Sequence, residues 1–197
     1  FKDLSLSIQL GKKSVDVVKN VTGRIRGKTM TALMGGSGAG KTSLLNALCG
    51  RAHYGETTGN IYLNGHETDI QKHLDCIGFV PQDDIIYPEL TVRENLMMVP
   101  PNQSGERLID TWLSPKKVRV EEAANRKRAN DVIAFLQISH LADEYAGNLS
   151  GGQKKLLELG RTMMTDAKIV FLDEVGAGVN RTLLHQIGDA ILRLNKE

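Results

Sequence analysis

Gly35-Gly36-Ser37-Gly38-Ala39-Gly40-Lys41-Thr42 limits the folds that are open to this 197-residue chain. The spacing of its glycines before a final Lys-Thr is the pattern of a phosphate-binding loop. Glycines let the backbone turn tightly enough for successive N–H groups to point at one anion. We therefore expect residues 35–42 and Ser43 to cradle phosphates, with Lys41 reaching the terminal phosphates and the Thr42 hydroxyl binding Mg²⁺.

The residues on either side supply the strand and the helix that such a loop needs. The apolar run Met30 to Met34 predicts a buried strand before the loop, and Leu44, Leu45 and Leu48 recur at helical spacing after it. A helix that begins at the loop also directs the positive end of its dipole at a bound anion. The loop is therefore predicted to join a core strand to a helix.

Alternating apolar residues predict a small antiparallel sheet in the N-terminal part of the chain. Its strands are expected at Leu4 to Ile8, Val15 to Val18, and Val21 to Ile25. Ile61 to Leu63 is a further strand that ends in a tight Asn64-Gly65 turn, and Ile77 to Val80 is another that Pro81 stops. From residue 91 the pattern becomes helical, because Thr91 and Glu94 form a capping box.

The second chemical motif is an apolar strand, Lys168 to Leu172, that ends in two carboxylates, Asp173 and Glu174. Such a run is typical of a buried parallel strand, whose carboxyl end is where ligands bind in α/β folds. Asp173 is expected to hold Mg²⁺ through water. Glu174 is expected to polarise an attacking water as a general base, a role typically worth about 10²- to 10⁴-fold in rate.

A third motif separates this chain from the many other proteins with a phosphate loop. Leu149-Ser150-Gly151-Gly152-Gln153 precedes the acidic strand and opens a helix, with Ser150 and Gln153 spaced as a capping box. Here the sequence resembles the ABC ATPase family. The resemblance implies that this helix N-terminus, residues Ser150 to Gln153, presents Ser150 and Gly152 to the γ-phosphate of ATP bound by a second domain.

The resemblance covers nearly the whole chain and implies its architecture. The fold is α/β: a RecA-like P-loop NTPase core, an N-terminal antiparallel β-subdomain and an inserted helical subdomain. The core lobe is expected at about residues 1–90 and 165–197, and the helical lobe at about 91–164. The sequence up to about Met98 is similar to the eukaryotic G subfamily of lipid and sterol exporters. From Ala146 to Asn195 it is similar to bacterial branched-chain amino-acid importer ATPases.

Two more segments match the family. Gln82, after the strand that Pro81 ends, resembles the glutamine loop, whose side-chain amide senses Mg²⁺ and the attacking water and links the core to the helical lobe. Ala177 to Asn180 resembles the D-loop of the dimer interface, with Asn180 where Asp is usual. Lys41, Gln82 and Glu174 are thus the expected catalytic residues, and Thr42, Gln82 and Asp173 the expected metal ligands.

The chain departs from the family pattern in three further places. No aromatic residue for adenine stacking lies between Lys12 and Lys19, and Val175 replaces the proline that usually follows the catalytic glutamate. The switch histidine of the family lies on a strand after the helix at Leu183 to Leu194, whereas this sequence stops at Glu197 inside a helical pattern and opens without Met. We expect a fragment that binds nucleotide better than it hydrolyses it.

The resemblance also implies partners. One phosphate loop and one signature helix face opposite neighbours, so a complete site needs a second ABC ATP-binding domain arranged head to tail about a twofold axis. The pair is expected to work with the transmembrane domain of a transporter, at the cytoplasmic face of a membrane. ATP binding would join the two domains, and hydrolysis would let them separate.

Composition narrows the alternatives. A net charge of +2 is too small to favour nucleic acid or anionic lipid as the main partner. The two cysteines lack the spacing of metal ligands, and no apolar run reaches the roughly 18 residues of a membrane span. A GTPase is disfavoured, because Asp173-Glu174-Val175-Gly176 lies far too late after the phosphate loop. A non-transport ABC ATPase of translation or DNA repair, and an ATP-dependent regulatory module, stay open as alternatives.

Overall fold

The N-terminal strands form one antiparallel sheet in a computed structural model that describes residues 1–101, 103–106, 115–165, 167–176 and 179–195. Strand β1 (Lys2–Leu10) pairs with β2 (Lys13–Val21) on one side and with β3 (Glu56–Leu63) on the other. β4 (His66–Thr68) completes the order β2-β1-β3-β4. The predicted β-subdomain is present, but the predicted strand at Val21 to Ile25 is wrong. Val21 ends β2, and Ile25 lies outside any strand and is exposed.

The hairpin between β3 and β4 has the predicted tight turn. Leu63 pairs with His66, so the loop contains only Asn64 and Gly65. Both residues have positive φ, 52° and 85°, as a type I′ turn requires. Asn tolerates this left-handed conformation and Gly adopts it without strain, so the two residues set the register of the hairpin.

The first hydrophobic core lies between the antiparallel sheet and helix α1 (Lys41–Leu48). Leu4 and Leu6 of β1 are fully buried and pack with Leu44 and Leu48 of the helix. The predicted helix after the phosphate loop is therefore confirmed, and its leucines face the core. This packing fixes the direction in which the helix N-terminus points.

The predicted strand at Met30 to Met34 is wrong. These residues are irregular, and the side chains of Met30, Leu33 and Met34 are exposed. A strand is stabilised by hydrogen bonds to a neighbouring strand, and no strand in the described ranges pairs with this segment. The segment is therefore apolar but lacks the backbone partner that would make it a strand.

A second, parallel sheet carries the predicted acidic strand. β5 (Ile77–Val80) pairs with β6 (Ile169–Leu172), with Ile77 opposite Ile169 and Val80 opposite Leu172. The ladder continues past the strand end, because the Asp173 N–H donates to the Val80 carbonyl at 2.9 Å. The carboxyl ends of both strands therefore meet at one edge, as parallel pairing requires.

The second core is helical. It contains α2 (Val92–Met97), α3 (Pro115–Phe135), α4 (Gly151–Met164) and α5 (Arg181–Leu194). Short 3₁₀ segments cover Ile70–Cys76, Ser104–Glu106, Ser139–Leu141 and Ala146–Asn148. Leu96, Leu136, Leu156 and Leu157 are fully buried at the centre of this core. None of the helices described is both long and apolar enough to cross a membrane.

The last helix is tied to the end of α3 as well as packed on this core. Arg193 Nη2 donates to the Phe135 carbonyl at 2.6 Å, and Gln186 Nε2 donates to the Leu136 carbonyl at 3.1 Å. Carbonyls at a helix C-terminus have no partner within the helix, so these two donors cap α3 from outside. The division into lobes at residues 91 and 164 stays a prediction.

The capping box at the start of α2 gives a prediction about stability and pH. Glu94 accepts from the Thr91 N–H and hydroxyl, both at 2.8 Å, and these bonds lower the pKa of Glu94 below its ordinary value of 4.5. A lowered folded-state pKa means that the ionised carboxylate stabilises the fold above the unfolded-state pKa and loses that contribution as pH falls through the folded-state pKa. Glu94→Ala should therefore lower the free energy of unfolding at pH 7, and the difference from wild type should shrink below about pH 4.5.

Urea unfolding at pH 7 and pH 3 would measure this difference. Glu89→Ala, at an exposed carboxylate just before the helix, is the control. An equal loss of stability at both pH values would contradict a role for the ionised capping box.

Candidate nucleotide site

The phosphate loop is a left-handed turn that opens α1. Gly38 and Gly40 have φ of 74° and 85°, and Gly40 is the N-cap of the helix. A Cβ atom at Gly40 would lie 2.8 Å from the Val17 carbonyl oxygen, so the turn also needs glycine for its approach to β2. Residues 35–39 are exposed. The free N–H groups of the first helical turn are therefore available to an anion from solvent.

Lys41 lies over its own loop. Its Nζ donates to the carbonyls of Gly35 at 3.1 Å and Gly36 at 2.9 Å. The ammonium is thus held at the loop residues that precede the helix, next to the positive end of the helix dipole. Both charges would favour the binding of phosphate at the same place.

Thr42 contacts the acidic strand end across 131 residues of sequence. Its hydroxyl donates to Asp173 Oδ1 at 3.2 Å, and Asp173 is only 3% exposed. A hydroxyl and a carboxylate are the hard oxygen ligands that Mg²⁺ prefers. In the described part of the chain no three His, Cys, Asp or Glu side chains form a metal cluster. A pair of oxygens nevertheless fits Mg²⁺, because this ion is usually bound by one or two protein groups together with water and substrate phosphates.

Glu174 follows Asp173 in a conformation unusual for its type. Its φ is 47°, in the left-handed region, and its side chain is exposed whereas that of Asp173 is buried. The next residue, Val175, packs against the helical core. The backbone therefore turns sharply between the two carboxylates, so one faces the phosphate loop and the other faces solvent, even without the proline that family members have here.

The signature helix α4 begins at Ser150 as its N-cap. Gln153 Oε1 accepts from the Ser150 N–H at 2.9 Å and from its hydroxyl at 3.0 Å. Ser150 and Gly151 are exposed, whereas Gly152 is buried. A Cβ atom at Gly152 would lie 2.7 Å from Leu183 Cδ1 of α5, so this glycine lets the two helices approach. Ser150 and Gly151 are the most exposed of residues 150–153, and the expected roles of Gly152 and Gln153 towards the γ-phosphate stay predictions.

The glutamine loop lies directly against the signature helix. The Gln82 side chain is exposed, while its carbonyl accepts from Lys155 Nζ at 2.7 Å. Lys155 also contacts Asp84, and Glu158 accepts from the Ile85 N–H at 2.8 Å. Sequence reasoning missed Lys155, Glu158 and Asp84. In the sequence, Lys155 and Glu158 are simply a lysine and a glutamate three residues apart on a helix. Such pairs are common on solvated helix faces, so the spacing does not reveal that this pair is buried.

The D-loop is described only in part. Ala177 and Gly178 lie outside the described residues. Asn180 is the N-cap of α5, and its side-chain oxygen accepts from the Leu183 N–H at 3.0 Å. Asn in place of the usual Asp therefore still satisfies an N-terminal helix N–H.

The described contacts bring some of the predicted site residues together and leave others apart. Thr42 and Asp173 are in contact, and Asp173 is joined to β5, which leads to Gln82. Across the described ranges, no hydrogen bond joins Ser150 or Gln153 to the phosphate loop. The chain therefore carries a loop-and-carboxylate half-site and a separate exposed helix N-terminus.

Comparison with known proteins supports the interpretation of the chain as an ABC-type ATP-binding domain. The family model described as ABC transporter matches residues 18–177. ABC transporter G family member 28 of Arabidopsis thaliana is 37% identical over 185 residues, which cover 91% of this chain and 15% of that protein. The probable branched-chain amino acid transport ATP-binding protein LivG of Archaeoglobus fulgidus is 36% identical over 176 residues, 85% of this chain and 65% of that protein. The chain therefore spans less than two thirds of either relative.

The fold is shared with solved structures. A nucleotide-free ATP-binding cassette from an ABC transporter superposes with a TM-score of 0.72 at 28% identity, covering 100% of this chain and 78% of that one. The predicted α/β class with its P-loop NTPase core is thereby confirmed, as is the resemblance to both the G subfamily and the branched-chain importer ATPases. The matched family model, the relatives and the shared fold together show that the chain belongs to the ABC transporter family, as an ATP-binding domain.

Proposed function

We propose that this chain binds and hydrolyses ATP to power the transport of a substrate across a membrane. The observation that carries the proposal is the 3.2 Å contact between Thr42 and the buried Asp173. It joins the phosphate loop to the acidic strand end, and a nucleotide-dependent motor needs both beside the same phosphates. Family membership supports ATP as the nucleotide.

Each residue of the half-site has a distinct task. The N–H groups of the loop and the start of α1 bind the phosphate oxygens, and Lys41 adds a positive charge beside them. Thr42 and Asp173 would hold Mg²⁺, which neutralises negative charge on the phosphates when bound. The exposed Glu174 would accept a proton from the attacking water, and Gln82 would orient that water.

The second half of the site is proposed to come from another domain. Ser150 and Gly151 are exposed at the start of α4, and in the described ranges no hydrogen bond joins them to the phosphate loop of the same chain. A helix N-terminus of this kind is suited to the γ-phosphate of ATP held by a partner domain. A head-to-tail pair would place two such sites in one interface, so ATP would act as the link between the domains.

Transport requires a membrane partner. The names of the relatives describe transporters and a transport ATP-binding protein, and by analogy this domain would act with a transmembrane domain at the cytoplasmic face of a membrane. No described feature favours a translation, DNA-repair or purely regulatory ABC ATPase. Low hydrolytic activity of this chain stays a prediction. His185 is exposed on α5.

The metal carboxylate can be tested by removing its charge. Asp173→Asn keeps the shape of the side chain but removes the charge that faces Thr42. The apparent affinity of the ATP complex for Mg²⁺ should fall by roughly 10- to 100-fold, which is the usual effect of losing a group that holds the metal through an intervening water or ligand. Titration of Mg²⁺ with a fluorescent ATP analogue bound would measure it.

Asp189→Asn, at an exposed carboxylate of α5, is the matched control. An unchanged Mg²⁺ dependence in Asp173→Asn would remove this carboxylate from the metal site.

The general base and the partner domain can be tested with one variant. Glu174→Gln should lower kcat for ATP by about 10²- to 10⁴-fold, because an amide cannot accept the proton of the attacking water. ATP binding should persist, because the loop and Lys41 are unchanged. Light scattering with ATP should then show a dimer, since hydrolysis no longer separates the domains.

Glu89→Gln provides the control for a change of charge away from the site. Glu174→Gln domains that carry ATP yet stay monomeric at micromolar concentration would contradict the shared-site proposal.

A further inference from the structure

A buried ion-pair cluster joins the glutamine loop to the signature helix. Lys155 of α4 is 6% exposed and Glu158, one turn later, is 2% exposed. Lys155 Nζ donates to Glu158 Oε2 at 2.9 Å and contacts Asp84 Oδ1 at 3.1 Å. Burying a charged pair costs free energy unless its hydrogen-bonding groups are well satisfied. The buried charges of this cluster therefore need well-placed hydrogen-bond partners.

Lys155 also contacts the backbone of the glutamine loop, so it fixes the path of the loop as well as pairing with carboxylates. Nζ donates to the carbonyl of Pro81 at 3.1 Å and to that of Gln82 at 2.7 Å. Glu158 holds the other end of the same segment, because its Oε1 accepts from the Ile85 N–H. Residues 81–85 are therefore fixed to α4 through backbone groups at both ends. A simple surface ion pair would leave the backbone free.

The electrostatics keep Lys155 charged. Burial works against the ammonium, but the hydrogen bonds and charges of Glu158 and Asp84 outweigh it and raise the pKa of Lys155. Burial raises the pKa of the Glu158 carboxyl. Lys154, the neighbouring lysine, lies 4.0 Å from Asp84 and makes a weaker contact at the edge of the cluster.

The same segment is also tied to the carboxylate half of the site. The Val80 carbonyl, two residues before Gln82, accepts from the Asp173 N–H at 2.9 Å. On the other side, Lys155 stands five residues after Ser150, about 7.5 Å along the helix axis. Gln82 thus lies between the strand that bears the metal carboxylate and the helix that bears the signature serine.

We propose that Lys155, with Glu158, is a positioning residue for ATP hydrolysis that acts through Gln82. It holds the glutamine loop and the signature helix as one unit, so that a movement of Gln82 towards the phosphates also moves Ser150. The inference rests on the function proposed above. It adds a residue that touches neither nucleotide nor metal but sets the place of one that does.

The test is a double-mutant cycle on ATP hydrolysis by the full-length protein. Lys155→Met/Glu158→Met replaces the buried pair by two unbranched apolar side chains. The exposed Asp84 loses Lys155 but keeps its contact with Lys154. Lys154→Met is the matched control, because it removes a neighbouring lysine at the edge of the cluster. Each is measured with and without Gln82→Ala, and circular dichroism and thermal unfolding confirm that each variant folds.

The paired variant should lose roughly 10- to 100-fold in kcat with an unchanged KM for ATP, because the phosphate loop is intact while the glutamine loop is misplaced. Gln82→Ala should then add almost nothing to that loss, since both changes remove the same function. Multiplicative losses, or a kcat equal to that of Lys154→Met, would overturn the proposal. A wild-type protein that does not hydrolyse ATP would instead overturn the proposed function and this inference with it.

Amide hydrogen exchange of the wild-type protein gives a second test that needs no variant to fold. The Ile85 amide is held by Glu158, and the Lys154 amide bonds the Ser150 carbonyl at 2.9 Å in the first turn of α4. If loop and helix move together, a non-hydrolysable ATP analogue should change the protection of both amides in the same direction. A change in the protection of only one of the two amides would contradict the proposal that the glutamine loop and the signature helix move as one unit.

Discussion

The hydrogen bond between Thr42 and Asp173 is the contact on which the site depends. Thr42 lies in the first turn of α1, Asp173 directly follows β6, and the two are 131 positions apart in the sequence. The loop is directed by the packing of α1 on the antiparallel sheet, and the carboxylate by the pairing of β6 with β5. The proposed phosphate and metal ligands lie beside each other because α1 and β6 share one core, in which Phe171 of β6 packs with Leu44 and Leu48 of α1.

Two glycines show how the chain uses close approach. Gly40 lets the phosphate loop turn against β2, and Gly152 lets α4 pack against α5. In each case a Cβ atom would meet a neighbour at less than 3 Å, so the glycine is needed for packing as well as for any ligand. The motif glycines are thus not equivalent. Gly151 faces open space at the start of α4, whereas Gly152 is buried against α5 and lets the two helices pack closely.

The glutamine loop has no regular structure of its own and takes its form from its neighbours. Ladder hydrogen bonding to Asp173 fixes where it begins, and the buried side chains of α4 fix where it runs. Such a loop can transmit a change at the phosphates because it is held from both sides by rigid elements. Under the proposed function, that arrangement would couple the state of the nucleotide to the orientation of α4.

Residue identity and spacing were enough to predict the phosphate loop, the acidic strand, both capping boxes, the Asn64-Gly65 turn and the family, because each depends on local backbone chemistry. They failed at Met30 to Met34, where an apolar run predicted a strand although strand formation also needs a neighbouring backbone. They also gave no sign of the Lys155 and Glu158 cluster. A lysine and a glutamate three residues apart look the same on a solvated face and in a buried one, and only the packing of residues 81–85 on α4 distinguishes the two. Local motifs follow from the chain itself, whereas burial and long-range pairing exist only once distant segments have met.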